Sequence, residues 1–461
     1  MERKIRLSQC MIVKNEEKNI RRALSWGKDI LWEQIVVDTG STDRTAALAK
    51  EMGAKVFYFS WIDDFAAAKN FAIDQASGDW IAFLDADEYF SPEDVKKLLP
   101  ILEELDREGF YAASARWVQV DGSEEELSET TGAGLNWQFT VKADGSRGIS
   151  LAGTQIRLFR NMPGLRYRGR VHEKLYLSEE RLIGADKSRE LSILHTGYTL
   201  EELEEKNKAE RNILLVKKEL EDHPEDYKLM TYLGDSYFQQ KKYKEAAVWY
   251  QKAARRLPEN EKKDELMGAL IFKHLLVIYT DFSGKAQADD SGKTQADEGS
   301  FGKFKEKDLV KTYKEAIRRF PKEADFDFLM GRYCAGCCRY REAAGYLQKA
   351  LGQLERYGSD GISVLLARSL LEAWDLLVLC HYENGDLEAC VSSAVTLLKA
   401  DPWRKETLTT MLKAFKADEA RRKEAASPAQ VLGFLQNFYD FGSRETAKFV
   451  LEAAQEAGYA F

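Results

Sequence analysis

The first ninety residues alternate between short apolar runs and polar, helix-like segments, and this order restricts the fold more than any other feature of the chain. The apolar runs cover residues 7–13, 34–37, 55–59 and 81–84. Short runs of this kind are typical of strands buried in a parallel sheet, and the segments between them are long enough for crossover helices. The resulting β-α-β-α-β-α-β order predicts an α/β domain with a Rossmann-like, mainly parallel sheet.

The last of these runs ends abruptly in acids, with Asp85 and Asp87 separated by one alanine and followed by Glu88. Open α/β sheets bind ligands at the carboxyl ends of their strands. On an extended backbone Asp85 and Asp87 point to the same side, and carboxylate oxygens suit Mg²⁺ or Mn²⁺ when phosphates complete the shell. An isolated Asp-x-Asp also fits a solvated acidic turn, so this motif needs support from the rest of the chain.

The other strand ends carry polar residues as well. Lys14, Asn15 and Glu16 follow the first strand, and Asp38 ends the second. We expect these strand ends to line one crevice with Asp85. The sequence contains no G-x-G-x-x-G after the first strand and no G-x-x-x-x-G-K-[ST], which disfavours a dinucleotide-binding Rossmann domain and a P-loop but leaves a nucleotide held through acids and a metal.

Composition limits the classes that remain. A chain of 461 residues with 44% apolar content should form two or three globular domains. The net charge of −8 disfavours a nucleic-acid partner. The six cysteines do not form a secreted disulfide framework, and no apolar stretch predicts a signal peptide or a transmembrane segment. These features predict a cytoplasmic location.

Four motifs of the first ninety residues occur in an order that is far more specific than Asp-x-Asp alone. They are Met-Ile-Val-Lys-Asn-Glu at 11–16, Ile-Val-Val-Asp-Thr-Gly-Ser-Thr-Asp at 35–43, Trp61 with Asp-Asp-Phe-Ala-Ala-Ala-Lys-Asn at 63–70, and Leu-Asp-Ala-Asp-Glu at 84–88. Together they resemble family 2 glycosyltransferases of the GT-A fold. The likeness covers about residues 5–200 and implies a hexosyltransferase that uses a UDP-sugar and Mn²⁺ or Mg²⁺.

The resemblance also implies roles for single residues. Asp38 would hydrogen-bond the nucleobase, usually uracil, and Lys69 would approach the diphosphate. Asp85 would face the ribose or the metal, and Asp87 would bind the metal. The residues expected along the nucleoside are Val13, Asn15 and Glu16.

A general base must come from the part of the chain after the donor motif, where His172 and Glu173 are adjacent. Strand alternation would point the two side chains in opposite directions, so that only one faces the acceptor. We expect Glu173 to be the base, since inverting enzymes of the family usually use a carboxylate here, with His172 as the alternative. Both could instead only brace loops.

His195 ends the last predicted strand, at a position where GT-A enzymes often place a further metal ligand. A neutral imidazole suits Mn²⁺, although a hydrogen-bonded core histidine explains the residue equally well. Residues 121–148 predict a long loop or hairpin that covers the donor or accepts the substrate.

From residue 200 the composition becomes helical, so we predict a catalytic domain at 1–199 and a helical-repeat domain at 200–461. Tetratricopeptide spacing recurs several times, and the clearest copies are Leu233, Gly234, Tyr237, Ala246, Tyr250, Ala253 and Pro258, and then Met330, Gly331, Cys334, Ala343, Leu347 and Ala350. A tandem duplication without apolar residues predicts a flexible insertion at about 283–302.

Cys334, Cys337 and Cys338 suggest a zinc site, but Cys334 and Cys380 fall at the repeat's core position, which favours packing.

Helical repeats offer a concave surface to a peptide or a partner protein. The combination resembles bacterial peptide glycosyltransferases and predicts an inverting enzyme that acts on Cys, Ser or Thr of a peptide or protein bound partly by the repeats. Two alternatives stay open: a transferase of cell-wall or capsular glycan synthesis, and a non-catalytic tetratricopeptide scaffold with a sugar-nucleotide-binding domain. A homodimer is also left open.

Overall fold

The protein is described by a computed structural model. It covers residues 4–119, 137–141, 147–178, 180–182, 184–195, 206–259, 265–281, 306–358, 364–423 and 426–459. The chain splits into two compact units, Met1–Lys242 and Tyr243–Phe461. The predicted domain boundary between 199 and 200 lies outside the described residues and stays a prediction, as does the flexible insertion at 283–302.

The first unit contains a large mixed sheet, a small sheet and flanking helices. Its strands are β1 (Leu7–Val13), β2 (Leu31–Asp38), β3 (Lys55–Tyr58), β4 (Trp80–Phe83), β5 (Glu88–Phe90), β6 (Ala112–Gln119), β7 (Trp137–Val141), β8 (Arg147–Arg160), β9 (Leu165–Arg168), β10 (Lys174–Leu177), β11 (Glu180–Arg181), β12 (Ala185–Asp186) and β13 (Ser192–His195). Its helices are α1 (Ile20–Ala23), α2 (Thr45–Glu51), α3 (Phe65–Gln75), α4 (Pro92–Glu108), α5 (Lys206–Asp222) and α6 (Tyr227–Gln239).

The large sheet has the strand order β3-β2-β1-β4-β8-β6-β13-β5. The pairs β3–β2, β2–β1 and β1–β4 are parallel, as the sequence predicts, while β8 joins β4 and β6 antiparallel. Because β1, β2 and β4 run in the same direction, their carboxyl ends meet at one edge. Apolar residues of these strands are fully buried between the helices, which confirms the predicted α/β fold.

Two local features depart from a simple alternation of strands and helices. The chain forms a turn up to residue 19 after β1, because Asn15 has a left-handed backbone (φ 56°) and its side-chain oxygen accepts from the Thr42 backbone N–H at 2.8 Å. After the acids the chain also forms β5, which the sequence did not indicate. β5 pairs antiparallel with β13 and brings Glu88 opposite His195.

Glu33 of β2 ties three segments of the first unit together. Its side chain is 3% exposed and accepts from Ser8 Oγ at 2.8 Å, from the Ser77 backbone N–H at 2.6 Å and from Lys55 Nζ at 2.6 Å. Burial disfavours the charged form, but these hydrogen bonds lower the pKa of Glu33 to about 2. The carboxylate therefore stabilises the fold in its ionised form.

β7 and β8 pair antiparallel, so a hairpin exists at residues 137–141 and 147–151. The rest of the segment 121–148 lies outside the described residues, and its predicted role at the donor or acceptor stays a prediction.

The second unit is all helical. Its helices are α7 (Tyr243–Arg256), α8 (Glu265–Asp281), α9 (Glu306–Arg319), α10 (Ala324–Gly336), α11 (Tyr340–Tyr357), α12 (Val364–Arg368), α13 (Leu370–Glu383), α14 (Leu387–Ala400), α15 (Lys405–Arg422), α16 (Pro428–Leu435) and α17 (Arg444–Glu456). Sequential neighbours such as α8 and α9, α10 and α11, and α13 and α14 pack against each other, as the repeat pattern predicts. None of the helices in the described part of the chain is both long and apolar enough to cross a bilayer.

The α10–α11 pair shows why the repeat needs glycine and a small core residue. A Cβ atom added at Gly331 would lie 2.8 Å from Leu347 Cγ, so only glycine allows this approach of the two helices. Cys334 and Cys380 are buried in the same apolar core, which confirms the predicted packing role of both cysteines.

Candidate active site

A cavity of about 1460 Å³ lies at the carboxyl ends of β1, β2 and β4. It brings together nine of the ten residues that the sequence nominated: Val13, Asn15, Glu16, Lys69, Asp85, Asp87, His172, Glu173 and His195. The tenth, Asp38, is buried and is not among the lining residues. Its carboxylate accepts from the Ser41 backbone N–H at 3.2 Å and so shapes the loop after β2.

Asp85 is held by a buried cation that sequence reasoning did not assign to the site. Arg157 of β8 donates to Asp85 Oδ2 at 2.7 Å and to Glu88 Oε1 at 2.6 Å. Glu88 also accepts from the Asp85 backbone N–H at 3.0 Å and from the Trp117 indole N–H at 3.0 Å. Glu88 and Arg157 therefore hold the Asp-x-Asp turn in place through these hydrogen bonds.

The pKa values of the two acids in this network, Asp85 and Glu88, shift in opposite directions. At Asp85, burial favours the neutral form, but the positive charges of Arg157 and Lys69 lower its pKa to about 2. At Glu88, burial is the largest effect and raises the pKa against the pull of Arg157. Asp85 is thus an anion in the cavity at neutral pH.

Lys69 lies on α3 and is almost completely buried. Its Nζ atom is 2.6 Å from Glu173 Oε1 and 3.9 Å from Asp85 Oδ1. It also lies over the rings of Phe83 and Tyr167, at 5.2 and 5.1 Å from their centroids. Burial disfavours the ammonium, but Glu173 and Asp85 raise the pKa of Lys69, so the cavity holds a fixed positive charge between two carboxylates.

Asp87 and His195 approach each other because β5 and β13 pair. His195 Nε2 lies 3.1 Å from Asp87 Oδ2, and the His195 ring packs on Trp117 with 4.5 Å between ring centroids. Among the residues that the structure describes, no group of three His, Cys, Asp or Glu side chains has the spacing of a complete metal site. The Asp87–His195 pair therefore offers a partial ligand set.

His172 and Glu173 lie in a turn between β9 and β10, so the predicted strand alternation is wrong. His172 has a left-handed backbone (φ 53°), and both side chains line the cavity. The His172 ring stacks on Tyr232 of α6 with 3.9 Å between centroids and 24° between planes. Burial lowers the pKa of His172 below its ordinary value, although its ring is open to the cavity.

Three cavity residues come from helices beyond the β-sheet and were not predicted. They are Arg211, Asn212 and Tyr232 of α5 and α6. The sequence gives no signal for them, because only tertiary packing brings these helices to the cavity. For Arg157 a signal existed: it is a charged residue between the apolar residues Ile156 and Leu158 of β8. Asp43, another lining residue, is part of the motif at 35–43.

Two family models match the chain. Residues 8–160 match the model of glycosyl transferase family 2, and residues 227–260 match that of the tetratricopeptide repeat. The chain therefore carries a family 2 glycosyltransferase domain of the GT-A type followed by a tetratricopeptide-like helical region.

Two relatives are similar to part of the chain. A TPR repeat-containing protein of Synechococcus elongatus is 34% identical over 269 residues, which are 57% of this chain and 60% of the relative. The SPbeta prophage-derived glycosyltransferase SunS of Bacillus subtilis is 26% identical over 270 residues, 58% of each chain. The chain thus matches about 60% of the length of these relatives. The structure of S. aureus TarS 1–349 in complex with UDP-GlcNAc is 16% identical, with 65% of this chain and 99% of that chain covered at a TM-score of 0.33.

Proposed function

We propose that the protein is a metal-dependent, inverting glycosyltransferase that transfers a sugar from a UDP-sugar to a Cys, Ser or Thr side chain of a peptide or protein. One observation carries the proposal. Asp85, Asp87, His195 and Lys69 line one cavity at the strand ends of a family 2 glycosyltransferase domain. Such a site offers both a partial shell for a divalent cation and a positive charge for a diphosphate.

The ligand set fits Mn²⁺ or Mg²⁺ when a diphosphate completes it. Asp87 and His195 supply an oxygen and an imidazole nitrogen within 3.1 Å of each other. Asp85 is ionised and open to the cavity on one side, while Arg157 holds its other side. When bound, the cation would neutralise charge on the leaving diphosphate. We assign Asp87, Asp85 and His195 to this role.

The nucleotide part of the donor would lie along the ends of β1 and β2. We assign Val13, Asn15 and Glu16 to the nucleoside, since all three line the cavity. We also assign Asp38 to the nucleobase; its carboxylate is buried and shapes the loop after β2 by accepting from the Ser41 backbone N–H. Lys69 is assigned to the diphosphate, and its short contact with Glu173 keeps it in place.

Glu173 is the proposed general base, with His172 as the alternative. The acceptor sulfur or oxygen forms a bond to the anomeric carbon while the bond from that carbon to the diphosphate oxygen breaks. The acceptor proton passes to Glu173, and UDP leaves with the electron pair of the broken bond. Lys69 lies 2.6 Å from Glu173 and holds this carboxylate in place before the proton arrives.

A polypeptide acceptor is supported by the helical-repeat region, because such repeats bind extended peptides on their concave face. The proposed division of labour places catalysis in residues 1–199 and acceptor recruitment in residues 200–461. A cytoplasmic location is part of the same proposal.

The test is a panel of UDP-sugars incubated with the full chain, Mn²⁺ and a peptide library containing Cys, Ser and Thr. Mass spectrometry should find one sugar mass added to a side chain, and NMR of the product should show an inverted anomeric centre. Transfer only to a polysaccharide would favour glycan synthesis. Tight donor binding without UDP release with any acceptor would favour the scaffold.

A further inference from the structure

The helices α5 and α6 form one wall of the cavity, although they lie beyond the residues that match the family 2 model. They pack against each other and belong to the same compact unit as the sheet. Arg211 and Asn212 of α5 and Tyr232 of α6 face the space that Asp85 and Glu173 also line. A segment with the sequence character of a repeat scaffold thus takes part in the site.

Two sets of polar contacts fix the turn that carries His172 and Glu173. The Arg170 backbone N–H and guanidinium both donate to Glu219 of α5 at 3.2 Å, and the guanidinium also reaches Asp222 at 2.5 Å. The Arg170 carbonyl accepts from the Phe65 backbone N–H at 2.9 Å, at the start of α3. The turn is therefore held between α3 and α5.

Tyr232 fixes the same turn from α6. His172 adopts a left-handed backbone, which costs a non-glycine residue free energy unless its surroundings hold it there. The face-to-face contact of its ring with Tyr232, at 3.9 Å between centroids, supplies one such constraint. The orientation of the His172 ring in the cavity therefore depends on a residue of the helical region.

The wall differs chemically from the strand ends. The strand ends present acids and suit a cation with its diphosphate, whereas α5 and α6 contribute a guanidinium, an amide and a phenol ring. An amide can pair with a peptide N–H and C=O, a guanidinium can donate to peptide carbonyls, and an aromatic ring covers apolar side chains. Because α6 also lies within the tetratricopeptide-repeat match, whose members bind peptides, we take a polypeptide chain as the partner of this wall.

We propose that the α5–α6 pair is the acceptor side of the transfer site. Tyr232 acts as a positioning residue for His172, and Arg211 and Asn212 contact the polypeptide next to the residue that receives the sugar. This inference rests on the proposed function and adds that the helical region completes the site instead of only recruiting the acceptor.

The positioning role is tested without turnover by NMR titration of the five histidines in the full chain labelled with ¹³C-histidine, with His172→Gln used for assignment. The charged groups that act on His172 are Glu173 of the turn, Lys174 at the start of β10 and Asp235 of α6. Since burial lowers the His172 pKa, Tyr232→Ala should raise it towards the ordinary value of 6.5, and Tyr232→Phe should leave it unchanged. Tyr237→Ala is the matched control, because Tyr237 is a half-buried aromatic residue of the same helix outside the cavity lining.

The acceptor role is tested by steady-state kinetics of the same variants, after circular dichroism has shown that they fold. Arg211→Ala and Asn212→Ala should raise the acceptor KM about tenfold, equivalent to one hydrogen bond to substrate, and leave the KM for the UDP-sugar unchanged. Tyr232→Ala should lower kcat with the acceptor, because the turn that carries His172 and Glu173 loses one of its contacts, and Tyr232→Phe should retain the wild-type kcat.

The outcomes separate the two claims. An unchanged His172 titration and unchanged acceptor kinetics in Tyr232→Ala would overturn the inference while the proposed function stands. If the wild-type chain transfers no sugar from any UDP-sugar, the proposed function is overturned, and the acceptor assignment with it. A His172 titration that still shifts in Tyr232→Ala would then support only the positioning of His172 by Tyr232.

Discussion

Arg157 provides the sharpest test of how the Asp-x-Asp turn is held. Its guanidinium contacts Asp85 and Glu88 at 2.7 and 2.6 Å, and the Glu88 side chain is 1% exposed. Arg157→Met keeps much of the side-chain volume but leaves Glu88 as a buried carboxylate without its guanidinium partner, although the Trp117 indole still donates to it. Removing one partner of a buried ion pair costs about 3–5 kcal/mol of unfolding free energy. For a unit of this size, that corresponds to a fall in Tm of roughly 6–20 °C.

The assay is urea and thermal unfolding of the full chain, followed by tryptophan fluorescence and circular dichroism. Arg21→Met is the control, since Arg21 and its partner Glu51 are each about half exposed and such pairs contribute about 0–1 kcal/mol. The double variant Arg157→Met with Glu88→Gln removes the unpaired charge and should recover part of the lost stability. Equal losses for Arg157→Met and Arg21→Met, or additive losses in the double variant, would refute the reasoning.

Three further predictions concern stability and turnover. Glu33→Gln should lower the free energy of unfolding by on the order of 3 kcal/mol at pH 7, as expected for a pKa lowered to about 2. A carboxylate with a lowered pKa stabilises the fold above its unfolded-state pKa, so the difference in unfolding free energy between the variant and the wild type should shrink as urea titrations move from pH 4.5 towards pH 2. Lys69→Met should reduce kcat about 10²–10³-fold, since it removes a fixed charge near the diphosphate, while Lys69→Arg should retain more activity in a UDP-release assay. Gly331→Ala should lower the Tm of the second unit, because overpacking costs about 1–3 kcal/mol of unfolding free energy. Gly345→Ala should raise the Tm, because nothing lies within 4 Å of the new Cβ and alanine favours the helix. The opposite order of the two Tm values would contradict the packing of α10 on α11.

Much of the first unit could be predicted from the sequence because its information is local. Short apolar runs predict buried strands, and acids that directly follow such a run must lie at the carboxyl end of that strand. Asp85, Asp87 and Asn15 could therefore be placed at one edge, and the cavity contains them. The repeat spacing carried equivalent information for Gly331 and Cys334, since each has to fit between two packed helices.

The parts that escaped prediction depend on contacts between distant segments. No local pattern states that β5 pairs with β13, so the approach of His195 to Asp87 could be expected only from the family resemblance. The left-handed backbone of His172 is likewise stabilised from outside its own turn, by Tyr232. The sequence shows Arg157 as a charged residue in an apolar strand. Its partners Asp85 and Glu88 follow only from the antiparallel pairing of β8 with β4.

The most direct test of the central claim is UDP release by the full chain as a function of Mn²⁺ concentration, for the wild type and for Asp87→Ala. Asp29→Ala, an exposed carboxylate of the same unit, is the control. The proposed metal and diphosphate site predicts Mn²⁺-dependent release by the wild type and the control, abolished by chelation and by Asp87→Ala. Retained release by Asp87→Ala with an unchanged Mn²⁺ dependence would contradict it.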